Sequence, residues 1–303
     1  MAHWTVSDMA PQHGRSVLVT GTGGLGFEDA LALARAGADV IIAGRNPAKG
    51  TEALARIRAL VPEAKLRFEP VDLASLPSIA AFGARMRAGH GSLDLLINNA
   101  GVMTPPKRRV TADGFELQFG TNYLGHFALT AALLPLLRQG KNPRVVTLSS
   151  IAARSGTIDF DDLQAERRYR PMRVYSQSKL ACLMFAFELQ RRSDAAGWGI
   201  ASIAAHPGIS RTDLIPNGAG RASLFGVMSR LLWFLFQSAA QGAWSTLFAA
   251  TAPEAKGGAY YGPARLDETR GPPTRARVPR QAEDKNAAAR LWTLSEQLTG
   301  ARF

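Results

Sequence analysis

Apolar and polar positions change period along this chain in a repeating way. Arg15-Ser16-Val17-Leu18-Val19-Thr20 is a short β-rich run, and a helical pattern from Phe27 to Ala36 follows, closed by Gly37. Asp39-Val40-Ile41-Ile42-Ala43 reads as the second strand. Ala48 to Leu60 then reads as helix, Lys65 to Val71 as strand and Ser75 to Ala88 as helix. Leu93 to Ile97 is apolar on both faces, as strands inside parallel sheets are. A helical stretch around Gly120-Thr121-Asn122-Tyr123 runs on to Leu137, and Arg144 to Leu148 is a strand. A long apolar helix opens at Tyr175, and Gly199 to Ala205 is the sixth strand. This alternation predicts an α/β fold: one doubly wound parallel sheet with helices on both faces. The expected organisation is an N-terminal extension over 1–14, the sheet domain over 15–264 and a C-terminal extension over 265–303. In that extension the Pro- and Arg-rich run Arg265 to Arg280 is expected to be extended, and Ala282 to Leu298 to form a terminal amphipathic helix.

Polar residues gather where these strands end: Thr20, Asp72, Asn98, Ser150 and Pro207. In open α/β sheets ligands bind in the crevice at the C-terminal strand ends. The first strand runs into Gly21-Thr22-Gly23-Gly24-Leu25-Gly26 and then a helix. In that setting glycines allow a tight turn and a close approach of backbone to a pyrophosphate, which the helix N-terminus attracts. The second strand ends Gly44-Arg45-Asn46, where a carboxylate would bind the 2′-hydroxyl of NAD. Arg45 suits a 2′-phosphate instead, although an exposed arginine at a strand end competes with that reading.

Tyr175 and Lys179 lie four apart at the start of the long helix, so they share a face. A lone phenol, ionising near pH 10, is a poor acid–base group at neutral pH. A cation alongside stabilises the phenolate and makes the pair a proton donor to a carbonyl oxygen. The spacing alone is short enough to arise from an unrelated surface pair.

Composition changes this picture little. Hydrophobic content of 46% and charged content of 20% are those of ordinary globular proteins. The net charge of +12 raises nucleic acid, an anionic membrane surface or an anionic cofactor as partners. The arginines are scattered without a basic block, which argues against nucleic acid. The single cysteine, Cys182, cannot form an internal disulfide, and the five histidines lack metal-ligand spacing, so no metal is expected. Met1 to Gly14 lacks a signal peptide's basic start and apolar core, and no apolar stretch reaches spanning length. A cytoplasmic location is the expectation.

Together the Gly21–Gly26 turn, Asp72-Leu73, Asn98-Asn99-Ala100-Gly101, Asn122, Ser150, Tyr175-x-x-x-Lys179 and Pro207-Gly208-Ile209-Ser210-Arg211-Thr212 resemble the short-chain dehydrogenase/reductase family. They span roughly residues 15 to 263 in the family's order. Asn122-Tyr123-Leu124-Gly125-His126-Phe127, the insert Ile158 to Leu163 and the long gap from Ser150 to Tyr175 resemble its retinol dehydrogenase and protochlorophyllide reductase-like group. The resemblance implies a Rossmann fold and an oxidoreductase that moves a hydride between NADP(H), in preference to NAD(H), and a carbonyl or alcohol. It implies that Tyr175 donates the proton, that Lys179 assists it and binds the nicotinamide ribose, that Ser150 bonds the substrate oxygen, and that Asn122 holds a water. Ser149 is the alternative to Ser150. It implies cofactor contacts at Gly21, Thr22, Gly23, Gly24, Leu25, Gly26, Arg45, Asn46, Asp72, Leu73, Asn99, Ala100, Gly101, Tyr175, Lys179, Pro207, Gly208, Ile209 and Thr212. His206 takes a packing or loop-positioning role. Helices near 121–137 and 175–192 commonly form the family's dimer face, so a homodimer or homotetramer is expected.

One departure stands out. The family turn is usually Thr-Gly-x-x-x-Gly-x-Gly, and here it is one residue short, reading also as Gly21-x-Gly23-x-x-Gly26. Either the turn adopts that tighter form and binds pyrophosphate normally, or the short loop weakens binding. The second case leaves room for a catalytically silent, dinucleotide-binding regulatory or scaffold protein. The apolar run 213–240, with Leu224 to Met228 and Leu231 to Phe236, is expected to be a lid over a bulky lipophilic ketone, aldehyde or secondary alcohol. An oligomer interface or shallow membrane docking are the other readings of that run, in that order.

Overall fold

A computed structural model describes residues 4–210 and 237–303. Among the described residues eight strands form a single sheet in the order β3-β2-β1-β4-β5-β6-β7-β8. They are β1 Ser16–Thr20, β2 Asp39–Gly44, β3 Leu66–Pro70, β4 Leu95–Asn98, β5 Arg144–Leu148, β6 Ala201–Ala205, β7 Tyr260–Arg265 and β8 Arg270–Arg275. The first seven run parallel, and β8 returns antiparallel on β7. The order reverses between β1 and β4, which opens a crevice at their C-terminal ends.

Helices cover both faces. On one, α1 Gly24–Arg35 and α2 Pro47–Leu60 join the later helices α6 Ala239–Gly242 and α7 Trp244–Thr251. On the other, α3 Leu76–Gly89, α4 Gly125–Leu137 and α5 Pro171–Ala196 join the terminal helix α8 Lys285–Thr299. The central strands are buried on both sides, which is why they read as continuous apolar runs rather than alternating ones.

The local chemistry accounts for the helix ends. Asn46 and Ser75 cap α2 and α3 by accepting the amides of Lys49 and Ser78. Helix α5 begins at Pro171, four residues before Tyr175, because proline already has the backbone angle of a first helical position. It ends at Gly197, whose φ of +63° closes the helix. Helix α1 begins at Gly24, inside the glycine turn rather than after it. Ahead of α4 the chain makes a wide π-helical turn, Phe119–Leu124, that carries Asn122.

The segment after residue 265 contributes more structure than an extended tail. Strand β8 contains Pro272 and Pro273, which an edge strand tolerates because one of its rows of N–H groups needs no partner. Helix α8 packs against α4 and α5 through an aromatic cluster. The Trp292 ring lies 5.0 Å from Phe127, 5.8 Å from Phe185 and 4.4 Å from Phe303 between centroids. The Tyr123 and Ser295 hydroxyls bond at 2.6 Å in the same place. The two helices expected to present a dimer face thus carry the chain's own terminal helix.

Candidate active site

The glycine turn occupies only Gly21 to Gly23, between the end of β1 and the start of α1. Its glycines do three different things. Gly21 sits at φ +103°, a conformation that side chains resist, and turns the chain. A Cβ on Gly23 would meet nothing within 4 Å, so the backbone there faces open space. A Cβ on Gly26 would lie 2.5 Å from Asn99 Nδ2 and 2.7 Å from the Gly21 carbonyl, so this glycine lets helix and strand end close together. Tight turn, open approach and close packing are the three roles of a dinucleotide-binding glycine motif. No side chain caps α1, which leaves its first N–H groups available to an anion. The residues present therefore fit a dinucleotide pyrophosphate despite the short turn.

Around the turn, the predicted contacts divide. The Thr22 methyl lies over Gly44, where a Cβ would be 3.1 Å away, and Arg45 beside it is exposed. Asn46 is spent on capping α2. Asp72 accepts the Ala74 amide at 3.0 Å, while the Leu73 side chain is buried in the core. Asn99 donates its side-chain amide to the Thr20 carbonyl at 2.7 Å. The backbone amides of Asn99 and Ala100 donate to the Thr20 hydroxyl at 2.9 and 3.0 Å. Gly101 leaves room for two neighbours: a Cβ there would be 3.1 Å from Asn122 Oδ1 and 3.8 Å from Lys179 Nζ.

The four residues expected at the chemical centre come together at this edge. Tyr175 and Lys179 lie one turn apart on α5, with Lys179 Nζ 6.0 Å from the Tyr175 ring centroid. Both are buried, and Lys179 donates to the Leu148 carbonyl at the end of β5 at 3.0 Å. The two adjacent serines face different ways. Ser149 is buried and donates its hydroxyl to the Lys179 carbonyl at 2.8 Å. Ser150 is half-buried, and its oxygen accepts the Ala152 amide at 3.2 Å, leaving the hydroxyl proton for another acceptor. The geometry favours Ser150.

Asn122 is held on every side. Its Oδ1 accepts the Val102 amide at 2.7 Å, and its Nδ2 donates to the Val102 carbonyl and to Ser178 Oγ, each at 3.0 Å. Its backbone carbonyl accepts from His126 Nδ1 at 2.9 Å and from the Cys182 thiol at 3.2 Å. Asn122 is thus a strut between α5 and the loop after β4, and its Oδ1 keeps one acceptor position beyond the Val102 amide.

Beyond β6, His206 is buried and accepts the Gly208 amide on Nδ1 at 3.2 Å, so Nε2 carries the proton that Glu268 accepts at 2.8 Å. Burial lowers the His206 pKa. Burial alone would raise Glu268, but the His206 and Arg277 hydrogen bonds pull its carboxyl down to about 2. Arg154 ties the same carboxylate to the segment after Ser150 at 2.9 Å. Leu266, Asp267 and Glu268 all have positive φ in this β7–β8 turn. Gly208, at φ +63°, lies against the Thr269 carbonyl, and the exposed Ile209 donates its amide there at 2.9 Å. Pro207 accepts Gln237 Nε2 at 2.6 Å. Thr212 and residues 213–236 of the expected 213–240 lid lie outside the described residues, and Ala239 and Ala240 begin α6.

Sequence reasoning missed Glu268, Arg154 and Tyr260, whose hydroxyl donates to the Ser150 carbonyl at 3.3 Å. None sits in a motif, and only the fold brings them to the strand ends.

The short chain dehydrogenase family profile matches residues 15–219. Mouse (Mus musculus) polyprenol dehydrogenase is 41% identical over 97% of this chain and 86% of its own length. Mouse retinol dehydrogenase 12 is 39% identical over 96% of this chain and 88% of its own. A crystal structure of an uncharacterised protein from Mycobacterium paratuberculosis is 39% identical, with a TM-score of 0.82 over 100% of this chain and 99% of that one. A short-chain dehydrogenase from Shigella flexneri complexed with NADP shares the fold at 22% identity and TM-score 0.65, over 84% of this chain and 98% of that one. With the glycine turn, the serine, and the tyrosine–lysine pair assembled at one sheet edge, the chain belongs to the short-chain dehydrogenase family, as an oxidoreductase of its retinol dehydrogenase-like group.

Proposed function

We propose that the protein is an NADP(H)-dependent carbonyl reductase or alcohol dehydrogenase acting on a bulky lipophilic ketone, aldehyde or secondary alcohol. The observation that carries this reading is that Lys179 lies beside Tyr175 on α5 and bonds Leu148 at the end of β5, two residues before Ser150, next to a glycine turn of dinucleotide-binding geometry. Gly21, Gly23 and the α1 N-terminus would hold the pyrophosphate, and the exposed Arg45 would take the 2′-phosphate that distinguishes NADP. When bound, the reduced nicotinamide supplies a hydride to the substrate carbonyl carbon.

The chain's own groups handle the oxygen. Ser150 donates its hydroxyl hydrogen bond to the carbonyl oxygen as charge builds there. Tyr175 transfers its phenolic proton to the same oxygen, completing the alcohol. Lys179 keeps one N–H on Leu148, and its others would serve the ribose and the tyrosine. Ser149 and Asn122 hold Lys179 and the loop after β4 in place. In oxidation the same atoms act in reverse. The names of the polyprenol and retinol dehydrogenase relatives support a lipophilic substrate.

The short turn is what favours the second reading, a dinucleotide-binding protein without chemistry. Tyr175→Phe separates the two. On the first reading it abolishes turnover and leaves NADPH binding within about two-fold, since it removes one hydroxyl used in the chemical step. Turnover that survives Tyr175→Phe contradicts the assignment.

A further inference from the structure

His126 lies inside the molecule between the dinucleotide cradle and Asn122, and it has no place in the chemistry described above. It is 2% exposed. Its Nδ1 is 2.9 Å from the Asn122 carbonyl and its Nε2 is 3.0 Å from the Thr20 hydroxyl. A carbonyl only accepts, so Nδ1 carries the proton and Nε2 presents a lone pair. Thr20 must then donate its one hydroxyl proton to that lone pair. Its two remaining lone pairs accept the amides of Asn99 and Ala100. Every bonding position of the Thr20 hydroxyl is used, and each points in a set direction.

The chain of bonds crosses the site. Thr20 is the last residue before the glycine turn, and Asn99 and Ala100 form the turn after β4. On the far side of the ring, Asn122 braces Val102 and Ser178, the neighbour of Lys179. One imidazole thus connects the cofactor-facing turns to the residues that carry Lys179. Burial is what chiefly keeps the ring neutral, with a pKa lowered to about 4, and the nearby Lys179 ammonium acts in the same direction. A neutral ring is what the wiring needs, because a second N–H would face a hydroxyl already accepting two amides. If the ring is removed, the Thr20 proton can turn to the Ile97 carbonyl, which is 3.2 Å away. The two amides it orients then shift with it.

We propose that His126 is a positioning residue that couples dinucleotide binding to the placement of Asn122 and Lys179. The inference rests on the reading of the cleft as an NADP(H) site. Its test is a double-mutant cycle between Thr20→Val and His126→Leu. NADPH affinity is titrated by intrinsic tryptophan fluorescence, and kcat is measured separately with a lipophilic aldehyde. His126→Leu is expected to weaken NADPH binding about ten-fold and to lower kcat at saturating NADPH. The two substitutions are expected to be non-additive, with the double variant within about three-fold of the weaker single one. His126→Gln, which keeps a donor and an acceptor, is expected to recover most of the loss. If His126→Leu does not fold, His126→Asn takes its place in the cycle, because its shorter amide cannot span both partners. A His126 variant that loses thermal stability while keeping NADPH affinity and kcat overturns the proposal, as does strict additivity with Thr20→Val. Wild-type protein that binds no dinucleotide overturns the underlying reading as well, so the two failures are distinct.

Discussion

The Ser149 hydroxyl donates to the Lys179 backbone carbonyl at 2.8 Å, which turns the first of two adjacent serines away from the crevice and onto α5. Ser150 is left with a free proton at the strand end. Ser150→Ala is therefore expected to lower kcat/KM by roughly 100-fold, the usual cost of one lost donor to a developing oxyanion. Ser149→Ala is expected to keep most activity and to lose about 1 kcal/mol of stability, from an interior hydrogen bond. Steady-state kinetics and thermal melts of both variants check this, and the opposite ranking in kcat/KM contradicts it.

The glycine turn yields a prediction about length. Gly23 already faces open space and Gly26 already packs on Asn99, so the short loop has the geometry it needs. Inserting one residue after Thr22 is expected to leave NADPH affinity unchanged or weaker. A marked tightening, seen by isothermal titration, would mean that the shortening costs binding.

Arg45 stands exposed at the end of β2, next to Thr22. Arg45→Ser is expected to raise the KM for NADPH about ten-fold, equivalent to about 1.4 kcal/mol, and to leave that for NADH nearly unchanged. Equal effects on both cofactors contradict a contact to the 2′-phosphate.

The buried histidines and Glu268 lower stability as pH falls, while Asp29 and Glu116, whose carboxyls burial pushes up, act in the opposite direction. The His126 pKa is about 4 in the folded chain, against an ordinary 6.5, and that of His206 is also lowered. Between these values the unfolded chain takes up protons that the folded chain refuses, so stability falls as pH drops below about 6.5. Glu268 works in the same direction at lower pH. Its contribution is fully present above its ordinary 4.5 and is lost as pH falls toward about 2. Glu268→Gln is expected to flatten the decline of melting temperature between pH 4.5 and pH 2. A melting profile from pH 6.5 to 4.5 whose slope His126→Gln leaves unchanged contradicts the histidine assignment.

Helix α8 holds its place through Trp292, which is 1% exposed among Phe127, Phe185 and Phe303. Trp292→Ala is expected to cost about 3–5 kcal/mol by cavity formation, lowering the melting temperature by about 10 °C. A change under about 1 kcal/mol by urea titration would mean that the helix is only loosely docked.

Much of this architecture was legible in the sequence because its signals are local. Strands β1 to β6 announce themselves as short apolar runs, and the glycines, Asn98-Asn99, Ser150 and the Tyr175–Lys179 spacing fall where those runs end. What stayed hidden depends on tertiary placement. Strands β7 and β8 were missed because each contains proline, which argues against a strand anywhere but near an edge. The wide turn at Asn122 has no periodic signature. The choice between Ser149 and Ser150 rests on which hydroxyl α5 captures. His126 looks like one more residue of a buried helix until its two ring partners, one of them 106 residues away, are seen together.

On the proposed reading this assembled edge is a working reductase with a preference for NADPH. The most direct test follows nicotinamide absorbance at neutral pH with lipophilic aryl ketones and long-chain aldehydes, with NADPH and NADH in parallel. NADPH is expected to be consumed, and faster than NADH. Tight NADPH binding with no consumption of either cofactor across the panel would contradict it and would favour a dinucleotide-binding protein without the chemistry.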